Sequence, residues 1–104
     1  MKISVVIATK NEAKTIRNIV MESWKYSQEV LVIDGHSDDE TVRQAEKAGA
    51  RVVLDLKRGK GAALRTGIEE VRGDIIVFLD ADGFHSPKDI PRLVAPILAG
   101  ECER

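Results

Sequence analysis

The feature that most constrains this chain is the alternation of short, nearly continuous apolar runs with longer segments of helical periodicity. Four apolar runs, rich in valine and isoleucine, lie at residues 3–8, 30–34, 51–54 and 75–79. Runs without polar alternation are typical of parallel strands, because both of their faces are buried. Strands that alternate with helices predict right-handed βαβ units. The sequence therefore predicts an α/β fold, three-layer αβα and Rossmann-like, with a mostly parallel sheet of four strands.

Helical segments are predicted between these strands. The first helix is expected to begin near Asn11 or Glu12, and four of its apolar residues share one face: Ala13, Ile16, Val20 and Trp24. A capping box of Ser37 and Glu40 predicts the start of the second helix, and Gly49 its end. A third helix is predicted over residues 61–71. A fourth is predicted to start at Ser86 and Pro87, with Pro96 shortening or kinking it.

Composition limits the function classes that need to be considered. The chain has 104 residues with 16 basic and 17 acidic side chains mixed along it, which indicates one domain over 1–104 and gives no footprint for nucleic acid or an anionic membrane. Its one cysteine, Cys102, allows no internal disulfide. No apolar run is long enough for a membrane span. We therefore expect a cytoplasmic protein.

Polar residues follow each predicted strand, at the point where the strand ends. Because parallel strands point the same way, their carboxyl ends share one edge of the sheet, and ligands of open α/β sheets bind there. That edge would collect polar residues from four segments: 9–12, 34–38, 57–61 and 80–82.

The sequence "VFLDADG" ends the fourth strand in two carboxylates, Asp80 and Asp82. Three interpretations fit this pattern: an acidic turn without an ion, a Mg²⁺ or Mn²⁺ site made of oxygen ligands, or a nucleophile with its general acid. A divalent ion held by only two carboxylates would keep positions open for diphosphate oxygens.

Two other segments could contribute to this edge. Asp34 ends the second strand, where a dinucleotide fold places an acid on a ribose, but for a lone aspartate the start of a turn into the second helix is favoured. The stretch 57–61, "KRGKG", could bring cations and N–H groups to a phosphate, or form a solvated basic turn. His36 and His85 are isolated in sequence; His85, three residues past Asp82, could be a further metal or phosphate contact, but a surface loop position is favoured.

Four motifs, "SVVIATKNEAKTI", "VLVIDGHSDDET", "KGAALRTGI" and "GDIIVFLDADG", occur in an order and spacing that resemble the nucleotide-sugar-binding half of the inverting family-two glycosyltransferases with the GT-A fold. The dolichyl-phosphate mannosyl- and glucosyltransferase-like branch is the most similar. The resemblance implies hexose transfer from a nucleotide-diphospho-sugar, a GDP- or UDP-sugar, to a polyprenyl-phosphate or other acceptor with Mg²⁺ or Mn²⁺, and contact with a membrane only through a lipid acceptor. Nine positions carry the implied binding roles: Ala8, Lys10, Glu12, Ile33, Asp34, Lys60, Asp80, Ala81 and Asp82. The metal would be held by Asp80 and Asp82.

The chain departs from the family pattern in two respects. Ala8 and Lys10 stand where the family commonly has proline and an aromatic residue, which bears on how the base is held. Family catalytic domains are also longer, and their second half supplies the acceptor contacts. The resemblance therefore leaves three possibilities, a donor-binding half, a truncated product, or a subunit that completes its site with another chain, and it assigns no catalytic base.

Other functions remain to be compared with the one that the resemblance implies. A phosphatase with a D-x-D-G nucleophile motif would carry that motif on its first strand, whereas here it follows the fourth strand. A nucleotidyltransferase would need a glycine-rich loop after the first strand, where this chain has "TKNE". A non-catalytic nucleotide-sugar-binding or oligomerising module stays open. If the fourth strand lies at an open edge, its unpaired backbone predicts a homodimer or pairing with a second chain.

Overall fold

The computed structural model describes residues 2–54, 71, 73–80 and 87–92, with Asp80 and Asp89 described by their backbone alone. Four strands of this part form one sheet in the order β3-β2-β1-β4, and every neighbouring pair is parallel. In chain order the elements are β1 (Ile3–Thr9), α1 (Ile16–Ser23), β2 (Glu29–Asp34), α2 (Thr41–Lys47), β3 (Arg51–Leu54), β4 (Ile75–Asp80) and a 3₁₀ turn (Pro87–Asp89).

The four predicted strands are confirmed. β3 has the predicted bounds, and each of the others is one residue longer, gaining Thr9, Glu29 or Asp80. The agreement is close because these runs are apolar on both faces, and both faces of the sheet are covered.

Each face of the sheet has its own apolar core. The larger core joins the strands to both helices, and its fully buried members include Val5, Val32, Ile16, Val20 and Ile90. The smaller core lies on the opposite face and contains Val6, Leu31 and Ile33, with Val53, Val71 and Ile76 packed against it. A sheet buried on both sides is the central layer of a three-layer fold.

Helix α1 begins later than predicted, at Ile16 instead of near Asn11 or Glu12. The backbone N–H groups of residues 11–13 are hydrogen-bonded to side chains of the segment after β2. Asn11 also has a φ of 54°, which is left-handed and interrupts a right-handed helix. The apolar face itself is confirmed, since Ile16 and Val20 are completely buried.

The predicted capping box of α2 is wrong. The helix begins at Thr41, and the residue before it, Glu40, makes no side-chain cap. The Ser37 hydroxyl donates instead to Asp34, so the strand end captures the side chain that the box would have used.

The predicted end of α2 at Gly49 is confirmed. Gly49 has a φ of 98°, its N–H donates to the Glu46 carbonyl, and the Ala50 N–H donates to the Ala45 carbonyl. This pair of bonds is a Schellman motif, whose left-handed position favours glycine. Trp24 lies over Gly49 and is 39% exposed as a residue, as expected of packing at the core edge.

The predicted third helix lies outside the described residues except for Val71, which packs against the smaller core. The fourth helix is described only at its start: the turn Pro87–Asp89 leads to Ile90, which is buried against the α1 face, whereas Pro96 lies outside the described part. Among the described helices, none has the length and apolarity needed to cross a bilayer.

Candidate functional site

The carboxyl ends of β1, β2 and β4 lie side by side. In register, Ala8 stands beside both Ile33 and Asp80, and Thr9 stands beside Asp34. Along the chain, strands are added outward from β1 to β2 and β3, and β4 then pairs with the other side of β1. The strand order therefore reverses between β1 and β4, which is the switch point where open α/β sheets bind ligands. Ala8 and Asp80 flank that point.

Asp34 is buried at the end of β2, with 1% of its surface exposed. Its Oδ1 accepts from the Thr9 hydroxyl at 2.8 Å and from the Ser37 hydroxyl at 2.6 Å, and its Oδ2 accepts from the Ser37 N–H at 2.7 Å. A carboxylate has about four acceptor positions, so three are already used. Asp34 therefore fixes the segment that follows its own strand, which agrees with the prediction that it starts a turn into the second helix.

Lys10 joins the loop after β1 to the loop after β2. Its ammonium donates to the carbonyls of Gly35 at 2.9 Å and His36 at 2.8 Å. His36 has a φ of 63°, which is uncommon for a residue with a side chain. The predicted nucleotide contact of Lys10 is untested, and in this structure its charge holds the two loops together.

Three successive N–H groups of the β1–α1 loop (residues 10–15) are bound by the β2–α2 segment (residues 35–41, which includes the first residue of α2). Asn11 N donates to Ser37 Oγ at 2.7 Å, Glu12 N to Thr41 Oγ1 at 2.8 Å, and Ala13 N to Asp39 Oδ2 at 3.3 Å. In dinucleotide-binding folds the first βα turn receives the pyrophosphate. Here these N–H groups serve side chains of the same chain, so a diphosphate would have to be held elsewhere.

Asp39 is the charged member of this arrangement. The hydrogen bond from the Thr41 hydroxyl lowers the pKa of Asp39 below its ordinary value of 3.8, and backbone N–H groups of Thr41 and Ala13 act in the same direction, whereas desolvation opposes them. Hydrogen bonds to the ionised form favour that form. The carboxylate at this position is therefore stabilised as an anion by donors from both loops.

The other predicted site residues differ in what the structure shows of them. Ala8 is half-buried at the edge, whereas Ile33 is 1% exposed and packs in the smaller core, so its side chain presents almost no surface to a ligand. The Glu12 carbonyl accepts from the Thr15 and Ile16 N–H groups and opens the turn into α1.

The acidic motif is described only at Asp80, whose backbone ends β4; Ala81, Asp82 and Lys60 lie outside the described residues. Within the described part, no group of three histidine, cysteine or acidic side chains is placed to hold a metal. The predicted metal ligands, Asp80 and Asp82, therefore stay a prediction, which the backbone position of Asp80 at the switch point supports.

The sequence placed Thr9 and Ser37 at this edge without indicating their hydrogen bonds, and it did not indicate Asp39 and Thr41 as members of the site. The signal was present as the polar cluster "SDDET" after β2, where small hydroxyl and carboxyl side chains are well suited to binding nearby backbone N–H groups. Nothing in the pattern indicated that the N–H groups would come from another loop, about 25 residues earlier.

Comparisons with known proteins agree with the topology of the site. Residues 4–103 match the model of the family described as Glycosyl transferase family 2. Glycosyltransferase AglJ of Haloferax volcanii is 36% identical over 94% of this chain and 33% of its own length. An undecaprenyl-phosphate 4-deoxy-4-formamido-L-arabinose transferase of Pseudomonas fluorescens is 32% identical over 89% of this chain and 31% of its own length.

Solved structures show the same fold. Glucosyl-3-phosphoglycerate synthase of Mycobacterium tuberculosis, in a complex with Mn²⁺, uridine diphosphate and glucosyl-3-phosphoglycerate, superposes with a TM-score of 0.85 at 35% identity, over 96% of this chain and 40% of that one. The same enzyme has been solved with Mg²⁺ and uridine diphosphate. The chain spans roughly a third of the two curated relatives described above, 33% and 31% of their lengths. With the match covering residues 4–103, the chain belongs to glycosyl transferase family 2.

Proposed function

We propose that this chain is the donor-binding part of a family-two glycosyltransferase. It binds a nucleotide-diphospho-sugar at the carboxyl edge of the sheet, for inverting transfer of a hexose to an acceptor held by other residues. The observation that carries the proposal is the position of Asp80, beside Ala8 at the switch point, where the D-x-D sequence leaves the sheet.

The residues present fit a divalent cation. The D-x-D motif offers hard oxygen donors, which suit Mg²⁺ or Mn²⁺. Asp34 is a poor alternative ligand for the ion, because its carboxylate already accepts three hydrogen bonds. The D-x-D motif therefore offers the better donor set. Asp80 and Asp82 would hold the ion, which when bound would offset the negative charge of a leaving nucleoside diphosphate.

The described side chains would define where the nucleotide can lie. The N–H groups of residues 11–13 are occupied, which directs the diphosphate away from the first turn and toward β4. The nucleoside would then lie against Ala8 and the β1–α1 loop, with Lys10, Glu12 and Asp34 around it. Ile33 would support the site only by packing in the smaller core. Lys60 is a candidate second cation for the diphosphate.

The acceptor is proposed from the relatives. One is named as a transferase to undecaprenyl phosphate, and another as a synthase of glucosyl-3-phosphoglycerate. Both acceptors implied by these names are phosphorylated molecules. We infer that this chain serves a polyprenyl-phosphate or another phosphorylated acceptor. Transfer by this chain would distinguish that function from donor binding without turnover.

Two further inferences concern the setting of the protein. A homodimer, or pairing with a second chain, would use β4, which lies at the edge of the four described strands. Sedimentation that gives only monomer at high concentration would count against it. A cytoplasmic location is proposed from the single cysteine, Cys102, since a chain without disulfides suits a reducing compartment.

The binding proposal can be tested by calorimetric titration of UDP-glucose and GDP-mannose, each with and without Mn²⁺. We expect metal-dependent binding of at least one donor. Asp82→Asn or Asp80→Asn should weaken it about tenfold or more, since the loss of one metal ligand costs more binding free energy than a tenfold change in affinity. Asp74→Asn is the matched control, because Asp74 lies at the opposite end of β4, where it accepts from the Lys2 N–H. Binding that ignores both the metal and the D-x-D substitutions would refute the proposal.

A further inference from the structure

The start of α2 holds the backbone of the β1–α1 loop by two separate side chains. Thr41 Oγ1 accepts the Glu12 N–H at 2.8 Å, and Asp39 Oδ2 accepts the Ala13 N–H at 3.3 Å. Thr41 is completely buried, and its hydroxyl donates in turn to Asp39 Oδ1. The two side chains therefore form one connected unit that spans the two loops.

This unit acts on the segment that carries the predicted nucleoside contacts. Lys10 and Glu12 lie on either side of Asn11, whose left-handed backbone is uncommon for a residue with a side chain. Asn11 is held from both directions, since its N–H donates to Ser37 Oγ and its Oδ1 accepts the Asp38 N–H. The loop is therefore shaped by partners on the β2–α2 side, and its shape does not come from α1, which begins only at Ile16.

We propose that Asp39 and Thr41 are positioning residues for nucleotide binding. They fix the N–H groups of Glu12 and Ala13, and through them the loop against which the nucleoside lies, without contacting the nucleotide. This inference rests on the proposed function. A loop that is already fixed loses less conformational entropy when a ligand binds, so loosening it lowers affinity even though no ligand contact is removed.

The geometry allows the two holds to be cut separately. The two carboxylate oxygens of Asp39 accept from different donors: Oδ1 accepts from the Thr41 N–H and hydroxyl, and Oδ2 accepts from the Ala13 N–H. In Asp39→Asn the amide NH₂ must replace one of them, so the N–H of Ala13 or of Thr41 faces another donor. Thr41→Val removes the acceptor of the Glu12 N–H at nearly constant volume, whereas Thr41→Ser keeps the hydroxyl.

A charge-matched control stands one residue away. The Asp38 side chain takes part in none of the hydrogen bonds described between the loops, where only its backbone N–H is used. Asp38→Asn therefore removes the same charge from the same segment and leaves both holds in place. A purely electrostatic effect of the loop on a nucleotide would appear in this variant as well.

The experiment measures the affinity of the wild type and the four variants for UDP and for GDP in the presence of Mn²⁺. We expect Asp39→Asn and Thr41→Val to weaken binding by up to about tenfold, since the lost hydrogen bond no longer keeps the loop in its binding conformation and affinity falls with the populated fraction of that conformation. Thr41→Ser and Asp38→Asn should change it less than about twofold. Amide exchange should become faster at Glu12 or Ala13, while the exchange of core amides such as Val5 stays unchanged.

The outcomes separate this proposal from the proposed function. If the wild type binds neither UDP nor GDP with Mn²⁺, the proposed function fails and the positioning role fails with it. If the wild type binds and the variants bind equally well, the positioning role alone is overturned. If Asp39→Asn does not fold, the two Thr41 variants decide the question. An equal loss of affinity in Thr41→Val and in Thr41→Ser, which keeps the hydroxyl, would also overturn the proposal.

Discussion

Replacing Asp34 tests whether the end of β2 organises the site. Asp34→Ala removes the acceptor of three hydrogen bonds, one from Thr9 and two from Ser37, at a position that is 1% exposed. Asp34→Asn keeps the shape and one acceptor oxygen. Thr9→Val removes only the Thr9 hydroxyl and keeps the volume, so the three variants grade the loss from one hydrogen bond to three.

The magnitude follows from the number of donors left without an acceptor. A buried donor without a partner costs about 1–3 kcal/mol, and more where the lost partner was charged. The two hydroxyls can rotate toward other acceptors, but the Ser37 N–H cannot. We therefore expect Asp34→Ala to lower the free energy of unfolding by about 3 kcal/mol, Asp34→Asn by about 1–2 kcal/mol, and Thr9→Val by about 1 kcal/mol.

The assay is urea unfolding followed by circular dichroism, which is suited to a chain of this size if unfolding is two-state. With a slope of about 1.5 kcal/mol per molar urea, the expected midpoint shift for Asp34→Ala is about 2 M. Amide exchange of the Ser37 N–H should be fastest in the same variant. Equal midpoints for Asp34→Ala and Thr9→Val would refute the view that the carboxylate organises the loop.

Two further predictions concern packing and pH. A Cβ on Gly73 would lie 2.2 Å from Ser4 Oγ and 2.9 Å from Ser4 N, so Gly73→Ala should destabilise the chain by about 2 kcal/mol in urea unfolding. Gly35→Ala, whose Cβ would lie 3.4 Å from the Thr9 carbonyl, should cost less than about 1 kcal/mol, and equal losses would contradict this account. Because folding lowers the pKa of Asp39 below 3.8, its contribution to stability is complete above that pH and is lost as the pH falls through the folded-state pKa. The difference in urea midpoint between the wild type and Asp39→Asn should therefore be constant near neutral pH and shrink below pH 3.8, and a difference that grows in acid would contradict the assigned cause.

The strands were predictable because a buried parallel strand leaves a direct mark on the sequence. Apolar runs such as 75–79 have no polar face to interrupt them, and only single terminal residues were missed: Thr9, Glu29 and Asp80. The end of α2 was also predictable, because the left-handed position of Gly49 is a local property of one residue.

The helix starts were not predictable, because they depend on partners that are distant in sequence. Ser37 has the spacing of a capping residue, but its hydroxyl donates to Asp34 and accepts from the Asn11 N–H instead. The local pattern also could not show that the N–H groups of the β1–α1 loop would donate to side chains of the β2–α2 segment. As a result, α1 begins only at Ile16. Cross-loop hydrogen bonds of this kind follow from the register of the sheet, which places Thr9 beside Asp34.

The candidate site was predictable in its location more than in its chemistry. Alternating strands and helices placed the polar loops at one edge, and the observed strand order narrowed that edge to the point between β1 and β4. The division of labour among the residues was not predictable. Lys10 was expected only as a nucleotide contact, and Asp34 either as such a contact or as the start of a turn; the structure shows both side chains holding loops.

The most direct test of the account is to locate Mn²⁺ by the paramagnetic broadening of backbone amide signals in the presence of UDP. Ala8 and Lys2 lie at opposite ends of β1, about 20 Å apart at the rise of an extended strand, a separation over which this broadening falls steeply. The account predicts strong broadening at Ala8 and Thr9, little at Lys2 and Asp74, and loss of the effect in Asp82→Asn. Broadening centred on the Lys2 end of the sheet, or unchanged broadening in Asp82→Asn, would contradict a metal and donor site at the switch point.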